Sequence, residues 1–221
     1  MIVVHHLENS RSQRVLWLLE ELGVAYEVKR YERNKTTMQA PPELRAVHPL
    51  GKSPVITDGD VTVAETGAIV EYIVETYGKG KLVPKAGTAD RRAWTYWLHY
   101  AEGSAMPPFF LKLILLRLPG RAPAIIRPII GMVIKRAVSG FIDPMIRNHL
   151  AWWEATLSKS PWFAGKAFSG ADIMMSFPVE VAATRASVTE FPKIAAFIAA
   201  IHARPAYQRA LQRGGPYGII G

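Results

Sequence analysis

The sequence predicts a small α/β domain with four strands, followed by a larger domain built only from helices. Three observations support this fold class. A strand–helix–strand pattern occupies residues 2–32, a β-hairpin and a helix follow over residues 54–77, and strand signals are absent beyond residue 88. The first pattern is typical of a parallel βαβ unit and the second of an antiparallel ββα unit, so all four strands fit one mixed sheet. We therefore predict domains at residues 1–80 and 89–221, joined by a linker at residues 81–88.

Hydrophobic patterning predicts the first unit element by element. Ile2–Leu7 is a short buried strand, and Ser12–Leu22 is a helix with one apolar face, ended by Gly23 in the usual C-terminal capping position. Apolar and polar residues alternate over Ala25–Glu32, and this alternation predicts a second strand. Arg33–Val47 is polar and contains two adjacent prolines, so we expect a loop or a single turn there.

The hairpin signal is the strongest local signal in the chain. Asp58-Gly59 separates the predicted strands Pro54–Thr57 and Val61–Ala64, and this dipeptide favours a tight turn. A helix is predicted over Glu65–Tyr77, where apolar residues recur at helical spacing before Gly78.

The second domain has only helical patterns. The prolines at 107 and 108 predict a bend at Met106-Pro107-Pro108 within the first helix, and a proline-rich loop follows at Leu118–Pro128. The predicted helices are Thr88–Arg117, Ile129–Ser158, Ser169–Ala186, Pro192–Ala203 and Pro205–Gln212. Ser169-Gly170-Ala171-Asp172 is expected to be a helix-capping motif. In it, the side chains of Ser169 and Asp172 each accept a hydrogen bond from an otherwise unpaired backbone N–H at the start of the helix.

Composition excludes several kinds of site. The 221 residues include no cysteine, so any thiol chemistry must use a thiol that a ligand brings. The six histidines are scattered, and His5 and His6 point to opposite faces of a strand, so no metal site is expected. The N-terminus lacks a cationic leader, and the longest uncharged run, residues 194–203, is about half a membrane span. We expect a cytoplasmic protein.

Charge is distributed unevenly. Residues 1–80 carry 9 Lys or Arg and 11 Asp or Glu, whereas residues 81–221 carry 18 and 7. The cations lack the aromatic and glycine pattern of a nucleic-acid module, so we predict no nucleic-acid partner and favour a solvated basic surface. Residues 113–138 interleave apolar side chains with cations, a pattern compatible with weak membrane-surface contact, a dimer surface or a pocket wall.

One motif carries the functional signal. His48-Pro49-Leu50-Gly51-Lys52-Ser53-Pro54 precedes the hairpin, and Glu65-Thr66 follows it at the start of a helix. This order resembles the glutathione-binding half of cytosolic glutathione transferases, and the pattern Pro41–Leu44 followed by His48–Gly51 resembles a serine-type branch in bacteria and fungi. The resemblance spans essentially the whole chain. It implies the family's fold, a thioredoxin-like N-terminal domain with an all-α C-terminal domain.

The resemblance also implies an activity. Glutathione would be the co-substrate with no other cofactor, its thiolate would attack a small hydrophobic electrophile, and the chain would form a homodimer. Glutathione-dependent peroxide reduction is an alternative, because it uses the same thiolate. A non-catalytic carrier of hydrophobic anions is a second alternative, because the helical domain is basic.

The family places its thiolate donor in the turn before the first helix, here Glu8-Asn9-Ser10-Arg11-Ser12. We favour Ser10, with Asn9 as the alternative one residue earlier and Ser12 behind both. The other interpretation of Ser10 is a helix cap paired with Gln13. For Arg11 we favour a solvated charge.

The resemblance also implies which residues of the motif bind glutathione. By resemblance, the Ser53 backbone binds the cysteinyl part of glutathione beside a cis Pro54. Glu65 pairs with the γ-glutamyl ammonium and Thr66 binds its carboxylate, while Lys52 and Gln39 are candidates for the glycyl carboxylate. We expect an electrophile pocket between the domains, with the candidate lining residues Tyr100, Met106, Phe109 and Phe110.

Overall fold

The computed structural model describes residues 1–37, 39–185, 188, 190–215 and 217–218. The α/β part contains β1 (Ile2–Leu7), α1 (Gln13–Leu22), β2 (Tyr26–Tyr31), α2 (Pro42–Val47), β3 (Val55–Asp58), β4 (Val61–Ala64) and α3 (Thr66–Tyr77). The helical part contains α4 (Ala89–Tyr100), α5 (Met106–Arg117), α6 (Arg127–Ala137), α7 (Asp143–Lys159), α8 (Gly170–Arg185), α9 (Pro192–His202) and α10 (Pro205–Gly214). This architecture confirms the predicted fold class.

The four strands form one mixed sheet in the order β2-β1-β3-β4. β1 runs parallel to β2 and antiparallel to β3, which pairs antiparallel with β4. The apolar residues of α1 and α3 cover one face and join the core of the helical domain. On the other face, Leu44 of α2 packs on Leu7 and Tyr31. β1 is a central strand, and the turn that follows it, residues 8–12, leads directly into α1.

Local sequence accounts for the ends of the first helix and for the hairpin. α1 ends at Gly23, which has φ +67°, and its N–H donates to the carbonyl of Leu19. The hairpin turn is Gly59-Asp60, and Gly59 has φ +59°, a left-handed conformation that glycine adopts without steric cost. These elements agree with the predicted ones to within one or two residues, and α2 is the single turn expected between Arg33 and Val47.

The helical domain has an irregular turn directly before Met106, next to the position where the sequence predicts a bend. Helical segments follow one another without a gap from Ala89 to Arg117, and the irregular one is a π-helical turn at Ala101–Ala105, just before the two prolines. Prolines at the first turn of α5 lack N–H groups, and the altered hydrogen-bond pattern of the preceding turn accommodates that loss. A second π-helical turn, Val138–Ile142, joins α6 to α7. Within the described residues, no helix is long and apolar enough to span a bilayer.

The capping motif at the start of α8 is confirmed. Both carboxylate oxygens of buried Asp172 accept backbone hydrogen bonds, from Phe163 and from Ser169, each at 2.8 Å. The hydroxyl of Ser169 accepts from the N–H of Ala171 at 3.3 Å. The predicted last residue of this helix, Ala186, lies outside the described residues.

Candidate functional site

The turn after β1 brings two serine hydroxyls together. Asn9 has φ +48°, which reverses the chain before α1. The Oγ atoms of Ser10 and Ser12 are 2.7 Å apart, and the backbone N–H of Ser12 donates to Ser10 Oγ at 3.3 Å. The capping pair between Ser10 and Gln13 is not formed, because both polar side-chain atoms of Gln13 are buried without a hydrogen-bond partner among the described residues. Ser10 therefore remains available for another role.

Behind the serines lies a neutral histidine. Ser12 Oγ is 2.8 Å from Nδ1 of His6, which is buried on the α1 side of the sheet. Burial and the nearby Arg30 lower the pKa of His6 to about 4, although a backbone hydrogen bond to Gly214 opposes this shift. A backbone bond that favours the protonated ring is one in which the ring donates, so Nδ1 is free to accept from Ser12. The lone pairs of Ser12 then face Ser10.

Ser53 lies beside this pair of serines. Its hydroxyl donates to the carbonyl of His5 at 2.8 Å and accepts from the N–H of Leu7 at 3.2 Å. These two bonds hold the loop before β3 against the end of β1. Ser10 Oγ is 3.5 Å from Ser53 Oγ, and the Ser53–Pro54 peptide bond is cis.

A polar cavity opens in front of the cis-proline. Glu65, with φ +70°, and Thr66, the first residue of α3, border it on one side, while Lys52, Ser53 and Pro54 border it on the other. The rest of its lining consists of Arg11, His48, Leu50, Val55, Ala64 and Glu102. A carboxylate beside a helix N-terminus suits a ligand that carries both an ammonium and a carboxylate.

An apolar cavity lies next to the polar one. Its walls combine the turn after β1 with α5, α8 and the C-terminal segment. The lining residues are Asn9, Ser10, Arg11, Arg33, Ser53, Met106, Phe110, Leu113, Phe177, Val181, Tyr217 and Gly218. Arg11 and Ser53 border both cavities, so a ligand atom placed near Ser10 and Ser53 would be accessible from each side.

A buried ion pair supports this border. Arg14, with only 1% of its side chain exposed, pairs with Glu102 and donates to the carbonyl of Met174 at 2.7 Å. It also donates to the hydroxyl of Thr66 at 3.4 Å. Burial raises the pKa of Glu102, but Arg14 and Arg11 more than offset that effect, so the pKa lies below its usual value.

Arg11 is not the solvated charge that we favoured. Its Nε lies 3.3 Å from a Glu102 oxygen, and its guanidinium lies 5.3 Å from the ring centre of Phe177. The sequence signal was weak because Glu102 is 91 positions away, so only the fold places the two charges together.

Three candidate residues lie away from both cavities. Gln39 is exposed in the loop before α2. Tyr100 is buried beside His149 and accepts a hydrogen bond from the indole of Trp153 at 3.0 Å, and Phe109 is 1% exposed in the same core. Of the four residues suggested for the electrophile pocket, Met106 and Phe110 line the apolar cavity. Helical spacing shows that these residues share an apolar helix, but not which of them face the core.

The fold and the paired cavities define a class of protein: a thioredoxin-like domain with a cis-proline at its ligand site and a helical domain that completes the adjacent apolar cavity. Residues 1–75 match the model of the glutathione S-transferase N-terminal domain, and residues 132–212 match the C-terminal domain. Glutathione S-transferase 3 of Schizosaccharomyces pombe is 34% identical over 96% of this chain and 88% of its own length.

Two solved structures extend this likeness. A glutathione S-transferase from Actinobacillus pleuropneumoniae has a TM-score of 0.83 and 30% identity, over 99% of this chain and 95% of its own. A Pseudomonas fluorescens family member, solved with two glutathione molecules bound, has a TM-score of 0.74 and 26% identity, over 95% of this chain and 92% of its own. The chain belongs to the glutathione S-transferase family, and it is a transferase enzyme that uses glutathione as co-substrate.

Replacing Glu102 by glutamine is expected to destabilise the protein. The substitution leaves Arg14 buried without its counter-charge, so the free energy of unfolding should fall by about 2–3 kcal/mol, less than for a fully buried pair because Glu102 is 28% exposed. Urea unfolding at a fixed protein concentration measures this change. The matched control is Glu75→Gln, whose partner Arg91 lies 3.8 Å away on the surface, and we expect less than about 0.5 kcal/mol there. Equal losses in the two variants would contradict a special role for the Arg14 pair.

Proposed function

We propose that this transferase conjugates the glutathione thiolate to small hydrophobic electrophiles and that Ser10 stabilises the thiolate. The observation that carries this proposal is the position of Ser10, on the wall of the apolar cavity and 3.5 Å from Ser53 at the border with the polar cavity. A thiolate at this border would be held from the polar side and would attack an electrophile that enters from the apolar side.

The polar cavity fits the rest of glutathione. Glu65, which lines this cavity, would pair with the γ-glutamyl ammonium, and the N-terminus of α3 at Thr66 would bind the neighbouring carboxylate. The backbone of Ser53 beside Pro54 would bind the cysteinyl residue, which directs its sulfur toward Ser10. Lys52 borders the same cavity and can meet the glycyl carboxylate.

The hydrogen bonds favour Ser10 over its two neighbours. Ser12 is fully buried, is absent from both cavity linings and already donates to His6. The side-chain oxygen of Asn9 accepts the N–H of Gly218 at 3.0 Å, so Asn9 anchors the C-terminal segment. Because Ser12 donates to His6, the hydroxyl of Ser10 donates to Ser12 Oγ at 2.7 Å, and it would rotate toward the sulfur when the thiolate binds. The N–H of Ser12, which Ser10 Oγ accepts, would polarise that hydroxyl as a donor to the anion.

The reaction itself needs little from the protein beyond this anion stabilisation. A free thiol has a pKa of about 8.5, and a hydrogen bond to the thiolate lowers that value. The thiolate forms a sulfur–carbon bond with the electrophile. With an aryl halide, the halide leaves with its electron pair; with an isothiocyanate, the nitrogen takes a proton from water. Met106, Phe110, Leu113 and Phe177 offer an apolar surface for such a substrate.

Ser10→Ala should raise the pKa of bound glutathione toward the free value and lower kcat/KM about 100-fold, since one donor to the developing anion is lost. The ultraviolet difference spectrum of the thiolate across pH measures the first effect, and conjugation assays measure the second. Asn9→Ala and the exposed control Ser158→Ala should retain the thiolate band.

Loss of the band in Asn9→Ala but not in Ser10→Ala would assign the donor to Asn9. Glutathione binding with no lowered thiol pKa in the wild type would contradict conjugation and favour a carrier of hydrophobic anions. Turnover of organic hydroperoxides without conjugation would favour the peroxidase alternative.

Glu65→Gln should raise KM for glutathione about 10–100-fold with kcat nearly unchanged, because a charged partner of the γ-glutamyl ammonium is removed. Steady-state kinetics with a glutathione analogue that lacks this amino group supplies the control. The analogue should bind wild type and Glu65→Gln equally weakly. A full effect of Glu65→Gln on the analogue would contradict the pairing.

We infer that the enzyme is a homodimer through an aromatic face on α4 and α7. Tyr96 is 46% exposed and Trp152 is 44% exposed. Tyr96 meets buried Trp97 edge to face at 5.0 Å between ring centres, and Trp152 stacks on the same ring at 6.1 Å. Exposed aromatic residues continuous with a core are typical of interfaces.

Light scattering should report a dimer for the wild type and a monomer for Trp152→Arg. The control Phe141→Arg, which changes an aromatic residue that is more exposed and lies elsewhere, should remain dimeric. A monomeric Phe141→Arg with a dimeric Trp152→Arg would contradict the proposed interface.

A further inference from the structure

One segment of the helical domain has a charge of one sign only. Between Glu102 and Asp143 the chain contains no acidic residue and six cations. These are Lys112, Arg117, Arg121, Arg127, Lys135 and Arg136. Among the described residues, only Lys112 of these six forms an ion pair, with Asp143 at 2.7 Å. The other five are exposed.

The same segment holds most of the exposed apolar surface. Of the 17 large hydrophobic side chains found exposed in the described part of the chain, 11 lie between residues 103 and 142. They are Phe110, Leu111, Ile114, Leu116, Leu118, Ile125, Ile126, Ile129, Met132, Val133 and Phe141. A monomeric soluble protein rarely leaves such a concentration of apolar side chains uncovered, so this surface is expected to meet a partner.

The two properties meet at the tip of a helical hairpin. The chain reverses between α5 and α6 through residues 118–126, and we call this segment the hairpin tip. Ile125 is 88% exposed at the tip, beside Ile126 at 42% and Leu118 at 42%. Arg121 lies within the tip and Arg127 directly follows it. Apolar side chains that project beyond the helices, surrounded by cations, form the arrangement that inserts at a bilayer interface.

We propose that the hairpin tip docks on an anionic lipid bilayer, with the isoleucines among the acyl chains and the arginines among the headgroups. Charge complementarity decides between possible partners. A second copy would place acid-free hairpins against each other, because a twofold interface pairs a surface with itself. A nucleic acid would meet the arginines but leave the isoleucines against phosphates. An anionic bilayer uses both kinds of side chain.

Docking at the tip would orient the enzyme. Phe110 and Leu113 belong to α5, the first helix of this hairpin, and both line the apolar cavity. Lipid contact would therefore place this wall of the cavity near the membrane surface. The docking proposal depends only on the surface and not on the conjugation chemistry, so the two can fail separately.

Co-sedimentation of the full chain with vesicles tests the proposal. The protein should sediment with phosphatidylcholine vesicles that contain phosphatidylserine, much less with phosphatidylcholine alone, and less as salt rises. Ile125→Ser with Ile126→Ser should weaken binding about tenfold by removing inserted apolar area. Arg121→Glu with Arg127→Glu should weaken it by at least about tenfold through charge.

The matched control is Lys159→Glu with Lys166→Glu, which changes the net charge equally at exposed positions outside the hairpin and should bind nearly as the wild type does. The far-ultraviolet circular dichroism and the thermal unfolding of every variant show that each one is folded. No binding by the wild type to anionic vesicles would overturn the proposal, as would equal losses in the tip and control charge variants. Loss of the dimer in the isoleucine variant would instead make the tip a self-interface, and binding of RNA unaffected by that variant would make it a nucleic-acid surface.

Discussion

The buried guanidinium of Arg14 is the contact on which the arrangement of the site depends. It extends from α1 to the carbonyl of Met174 in α8, to Glu102 in the π-helical turn and to Thr66 at the start of α3. One side chain thus connects the wall of the polar cavity to two segments of the helical domain. Desolvating a cation is costly, so the contact persists only while its partners surround it. The relative placement of the two cavities therefore depends on complete packing between the domains.

The sequence was sufficient for the features that local chemistry determines. The hairpin turn at Gly59, the glycine that ends α1 and the capping motif at Ser169 each act over a few residues, so a single chain reveals them. Pro54 and Glu65-Thr66 came from a spacing typical of the family, and the structure places them around one cavity.

Features that depend on tertiary packing were not predictable in the same way. Nothing near Arg11 or Arg14 in the sequence indicates a partner at Glu102. Tyr100 ends α4 and Phe109 lies on α5, and both face the core because α7 packs there, with Trp153 contacting both rings. The π-helical turn at Ala101–Ala105 was not predicted either, because the two prolines indicate a disturbed hydrogen-bond pattern but not which residues carry it.

The end of the chain returns to its beginning, and this closure shapes the reactive border. Gly214 bonds to His6 behind the serines, and Gly218 bonds to Asn9 in front of them. Tyr217, between these contacts, lines the apolar cavity, and its hydroxyl donates to buried Glu180 at 3.2 Å. Burial and that carboxylate raise the pKa of Tyr217 well above its usual value, so it stays a neutral donor. The groups proposed to hold the thiolate belong to the first turn of the protein, whereas α5, α8 and this returning segment form the surface an electrophile meets. Changes in those three segments can alter substrate choice while the hydrogen bonds around Ser10 stay as they are.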